Sequence, residues 1–215
     1  AVLEQRIIDA ANKYAGYALK LKDFDEQNII NGSVPEKAGL ALLKLYFALC
    51  LEAGLGKCEE LLDEDSDEDT INAVAEAAQA IGSAADDAFS DVWLQASRDR
   101  DFSEMIEETN ENSSAEGPVT LLIKLYKCEG IIREAYRSAS NFPLLGGIYG
   151  GSNTQSDFDV VTNQEDYIVK RTGIDIYRLL ETKQRLIGDI ERLVGGPERI
   201  EKLCAGGNIS ESAYE

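Results

Sequence analysis

The chain has 215 residues, 40 acidic against 21 basic side chains, a formal charge of −19, no histidine and four cysteines. A field this negative excludes duplex DNA or RNA as the natural partner, because counterion release needs Lys and Arg gathered on one face. The missing histidine removes Ser-His-Asp and Cys-His catalysis, histidine zinc sites and a proximal haem ligand, while 44% apolar content suits a chain that buries a core.

The pattern is helical nearly throughout. Ile7, Ala11, Tyr14, Ala18 and Leu21 step by three or four and predict an amphipathic first helix over residues 2–22. Asn31-Gly32 reads as a break, Ser33 as a candidate N-cap and Pro35 as first-turn proline of a second helix over 35–62. That helix carries Leu40, Leu43, Phe47 and Leu51 on one stripe and Leu42, Leu45 and Leu49 on another, so it should lie between neighbours. No run of 18 apolar residues occurs, and no transmembrane helix is expected.

Glu59–Asp69 holds eight acids and no base, which predicts a solvated turn. Asp65, Asp67, Asp69 and Glu76 fall at calcium-loop positions. Thr70 stands where the loop needs glycine, however, so the turn is preferred and no metal is expected. Thr70 can cap a third helix with apolar positions Ile71, Val74, Ala78, Ile81, Ala85, Phe89 and Val92, and Trp93 reads as core or helix-end packing, with a surface anchor for a partner as the sharper alternative. The polar stretch from Arg98 to Gly117 predicts a connecting segment, and Pro118 opens a fourth helix with Leu122, Ile123, Tyr126 and Ile131.

The four glycines and the proline of residues 141–153 predict an end to that helix and a packed loop. Phe142, Leu144, Ile148 and Tyr149 are its candidate ligand-contacting or surface residues. The segment lacks Gly-Lys-Ser/Thr and does not follow a strand, which argues against a phosphate cradle. A last long helix over 164–195 carries Ile168, Ile176, Leu180, Ile187, Ile190 and Val194, before Gly195-Gly196 and a short helix from Pro197 to the region of Cys204.

Cys50, Cys58, Cys128 and Cys204 make an even count without Cys-x-x-Cys, which favours two disulfides in an oxidising compartment over buried free thiols. Cys50 and Cys58 on one helix stand about 12 Å apart at 1.5 Å per residue, too far to bridge. Each is therefore expected to pair with Cys128 or Cys204, provided Gly54 and Gly56 leave the helix intact. Asn31-Gly32-Ser33, Asn112-Ser113-Ser114 and Asn208-Ile209-Ser210 are N-glycosylation sequons in polar or terminal segments. Cysteines and sequons together point to the cell surface. The ends, Ala1-Val2-Leu3-Glu4 and Ser212-Ala213-Tyr214-Glu215, suit a trimmed ectodomain and equally a cytosolic fragment.

The opening helix Leu3–Ala15, the Ala73–Ala85 helix and the final helix through Val194 resemble those of trypanosome surface glycoproteins. That family includes the variant surface glycoprotein N-terminal domains, the haptoglobin–haemoglobin receptor and the glutamic acid/alanine-rich protein. Glu and Ala, present 23 times each, make the last of these the nearest in pattern. The expectation is an all-α, single-domain ectodomain over 1–215: an elongated antiparallel bundle of long helices stapled by disulfides, with no cofactor and no enzymatic activity. The resemblance implies a coat protein held to the membrane by a lipid (GPI-type) anchor outside this segment, with neighbouring coat proteins as partners. The alternative is a receptor on the same scaffold for a host protein or small ligand, and a third class is a cytosolic helical adaptor with reduced cysteines.

Overall fold

The computed structural model describes Gln5, Gly32 and residues 34–112, 117–149 and 164–194. Every described element is a helix: α1 Val34–Glu59, α2 Glu68–Arg98, α3 Arg100–Asn112, α4 Pro118–Tyr149, α5 Gln164–Thr172 and α6 Ile176–Val194. Apart from Gln5, the expected helix over 2–22 lies outside the described residues, as do the helix from Pro197 and the Ser33 cap. The chain divides into two compact units, Ala1–Lys124 with Ile187–Glu215, and Leu125–Leu186.

In the first unit α1 is the central element. From Ala38 to Cys50 every residue is buried except Lys44, as an all-round apolar helix requires. Each such Leu side chain contributes about 1.5–3 kcal/mol on leaving water. Lys37–Glu59 is long and apolar enough to span a bilayer by length and composition alone, contrary to expectation, yet 72% of its most apolar stretch is buried inside the protein. Helix α2 packs on α1 through Ala48, Ala85 and Ala88, whose small side chains permit close approach. Lys44 on α1 reaches Asp91 on α2, its Nζ 3.2 Å from the carboxylate.

The acidic segment is a turn, organised by Asp63. Its carboxylate accepts from the Asp65 amide and the Ser66 hydroxyl, both at 3.1 Å. The cap of α2 is Asp67 and not Thr70, because the Asp67 carboxylate accepts from the Thr70 amide at 2.7 Å. A carboxylate at this position also meets the positive end of the helix dipole. Val74, Ala85, Ala88 and Val92 form the buried stripe of α2, Phe89 is half-buried, and Ile71 faces solvent.

The polar segment after Arg98 is a helix rather than a connection. Asp99 ends α2 by donating its amide to Gln95 and starts α3 by accepting from the Phe102 amide at 3.2 Å. Phe102 (0% exposed) and Ile106, one turn apart, then anchor α3, which packs against both α1 and α2.

Helix α4 continues through Pro143, Gly146 and Gly147 to Tyr149, past the expected end. Proline costs a helix one hydrogen bond, but extending an existing helix is far easier than nucleating one. The long helix expected over 164–195 is two. Gly173, at φ +71°, ends α5 with its amide on the Val169 carbonyl, and Asp175 starts α6 by accepting from the Arg178 amide. Thr172 closes the corner, donating its hydroxyl to the Ile168 carbonyl and accepting from the Ile174 amide.

Candidate functional site

The most unusual chemistry among the described residues lies inside the Leu125–Leu186 unit. On α4, Leu125, Cys128, Ile132 and Ala135 form a buried stripe, and Glu129 sits among them at 3% exposure. On α6, Ile176 and Leu186 are buried, and Lys183 shares their face at 5% exposure. Both charges thus occupy positions where helical periodicity calls for apolar side chains.

They meet each other. Lys183 Nζ lies 3.2 Å from Glu129 Oε2, and Arg133, one turn along α4, donates from Nε to Glu129 Oε1 at 2.9 Å. Oε2 itself accepts no hydrogen bond, so the lysine is close enough for an ion pair without being aligned along a lone pair. Beside them Cys128 donates its thiol to the Leu179 carbonyl at 3.5 Å. Burial pushes the Cys128 thiol up, the neighbouring Glu129 pushes it further, and Lys183 partly opposes both. A thiol held protonated is a poor nucleophile and a poor metal ligand. The cluster is a charge lock between α4 and α6, with its carboxylate balanced by two cations.

Around it the same unit is tied by two tyrosine–carboxylate bonds. Tyr136 donates to Glu165 at 2.8 Å and Tyr177 to Asp166 at 2.7 Å. Both carboxylates belong to the first turn of α5, where negative charge also suits the helix dipole.

The cysteine expectation is corrected. Cys50, Cys58 and Cys128 are free, buried thiols, and no disulfide occurs among the described residues. Gly54 and Gly56 do not interrupt α1, so Cys50 and Cys58 are held apart on one continuous helix. The three sulfurs sit as small apolar groups within packed helix faces. Cys204 lies outside the described residues.

The other candidate residues fare differently. Asn112 is the last residue of α3, whereas Asn31 and Asn208 lie outside the described residues. Phe142, Leu144, Ile148 and Tyr149 belong to the C-terminal turns of α4 and not to a loop, and residues 150–153 lie outside the described set. Among the described residues no group of three Cys, Asp or Glu side chains is arranged to hold a metal ion. Trp93 is not core. It is 60% exposed beside Leu94 at 42%, near the end of α2.

The buried pair had a legible signal that composition obscured: Lys183 lies seven residues after Ile176 and Glu129 four after Leu125, both core registers. Comparison with protein-family models, with curated proteins and with solved structures finds no match.

Proposed function

We propose that the chain is a non-enzymatic cell-surface coat glycoprotein: an elongated antiparallel helical bundle carried on a lipid anchor beyond residue 215 and shielding the membrane beneath it. The observation that supports this best is the sequon Asn112-Ser113-Ser114, which begins at the last residue of α3. The exposed acidic turn before α2 agrees with an outward, mutually repelling surface. The reading no longer draws on the cysteines, whose free thiols suit a reducing compartment equally well.

A receptor on the same scaffold is the second reading, favoured by Trp93 and Leu94 standing side by side in solvent. Labelling intact cells of the native source with a membrane-impermeant reagent, followed by phospholipase release, tests the proposal. A coat protein is labelled and released. A protein labelled only after lysis is neither coat nor receptor. Saturable capture of a host protein, lost on Trp93→Ala, would replace the coat by the receptor.

A further inference from the structure

Helix α2 buries Val74, Ala85, Ala88 and Val92 on one side and leaves the opposite side open. Helical periodicity places Glu76, Ser83, Asp87, Ser90 and Leu94 in one row along that open side, and all five are exposed. Glu76 and Leu94 stand in line, five full turns and about 27 Å apart. Trp93 flanks Leu94 at 60% exposure, so the row ends on an aromatic and an aliphatic side chain standing together in solvent. Ser83 and Ser90 keep the middle of the row low, which lets another backbone come close.

Three features give this row a preference for positive charge. Six acids of α2, Glu68, Asp69, Glu76, Asp86, Asp87 and Asp91, precede its one base, Arg98. Lys44 of α1 reaches Asp91, which leaves the helix strongly anionic. Trp93 and Leu94 also lie in the last two turns of α2, at the negative end of its dipole. The indole face itself attracts a cation more strongly than any other aromatic side chain. A second copy of this chain would bring two anionic rows together, and an anionic lipid surface or nucleic acid would be repelled in the same way.

We propose that the open side of α2 docks a basic amphipathic helix of another protein. Its apolar side rests on Trp93 and Leu94, and its Lys or Arg side chains lie along Asp87 and Glu76. The site is that of the receptor reading, on which the proposal rests for its natural setting. What it adds is the chemistry of the partner.

Trp93 is the only tryptophan of the chain, so its fluorescence reports on this site alone. The probe is a peptide of about 18 residues built from Leu and Lys with the leucines along one helical side, titrated into the full chain. Its counterpart has Glu in place of Lys. The Leu/Lys peptide shifts the emission to shorter wavelength saturably, and the Leu/Glu peptide does not. Anisotropy of the labelled Leu/Lys peptide then measures variants whose helical circular dichroism matches the wild type. Trp93→Ala weakens binding about tenfold, as does Glu76→Lys with Asp87→Lys. Glu64→Lys with Asp65→Lys makes the same charge change on the turn before α2 and alters binding less than about twofold.

An unshifted emission, equal binding of the two peptides, or an equal loss in the Glu64/Asp65 control overturns the proposal. The last of these would show plain attraction to an acidic protein. A shift that follows the concentration of the chain alone also overturns it, by making the row a contact between copies. An intracellular native protein would remove the receptor setting and leave the peptide results unchanged.

Discussion

Lys183 and Glu129 form an ion pair at 3.2 Å with both side chains more than nine-tenths buried. Desolvating two charges is costly, and such a pair often stabilises no more than well-packed apolar residues would, but removing one partner strands the other. Lys183→Met leaves Glu129 with Arg133 as its remaining cation. It should destabilise by about 3 kcal/mol, the low end for breaking a buried pair, and Glu129→Leu with Lys183→Met should recover most of that loss. Chemical denaturation of the two single variants and the double variant measures the coupling. A double variant as unstable as the sum of the singles would show that each charge serves a different partner.

The α5–α6 corner depends on Gly173 and Asp175. An added Cβ at Gly173 would meet nothing within 4 Å, so the whole penalty of Gly173→Ala comes from the positive φ. That penalty should be about 1 kcal/mol. Asp175→Ala removes the acceptor of the Arg178 amide and should cost a similar amount, about 1 kcal/mol. Thermal melts of the two variants check both values.

Phe102 carries the burial of α3. With Phe102 fully enclosed, Phe102→Ala should cost about 3–5 kcal/mol, and amide exchange across residues 100–112 should rise with it. A solvated connection, which the acidic composition of this stretch suggests, would lose almost nothing.

The Asp67 carboxylate is held below its ordinary value of 3.8, first by the Thr70 amide and then by the Thr70 hydroxyl. A carboxylate depressed in the folded state stabilises above the unfolded value and loses that contribution as pH falls through the folded value. Stability should therefore be insensitive to this group at neutral pH and decline below about pH 4. Asp67→Asn, which keeps an acceptor but cannot titrate, should flatten this part of the pH profile. An unchanged acid limb would contradict the cap.

Cys50, Cys58 and Cys128 are buried at 2%, 6% and 7% exposure, and the Cys128 thiol is raised above its ordinary value by burial and by Glu129. A thiol reagent at neutral pH should label them slowly in the native protein and rapidly on unfolding. Fast native labelling would contradict their placement.

Helix identity was legible wherever the apolar pattern was strong. Leu40, Leu43 and Phe47 on one stripe of α1, Leu42, Leu45 and Leu49 on the other, and Ile168, Ile176, Ile187 and Ile190 are buried as their spacing implies, while Leu51 is half-buried. What stayed hidden was punctuation and context. Thr172-Gly173-Ile174-Asp175 carries both a C-terminal glycine and an N-cap aspartate, yet an unbroken helical period masks it. In α3 only Phe102, Met105 and Ile106 signal a helix against seven acids between Asp99 and Glu116. Trp93 shows the opposite failure, since its size argues for burial while neighbouring Val92 takes the core position. Cysteine parity carries no geometry, and three of the four sulfurs sit in helix faces as free thiols.

Mass spectrometry of glycopeptides from the native protein addresses the surface reading most directly. After enzymatic release of N-glycans, the account predicts conversion of Asn112 to aspartate in the peptide that joins α3 to the following segment. Unmodified asparagine at Asn31, Asn112 and Asn208 alike would contradict a glycosylated coat.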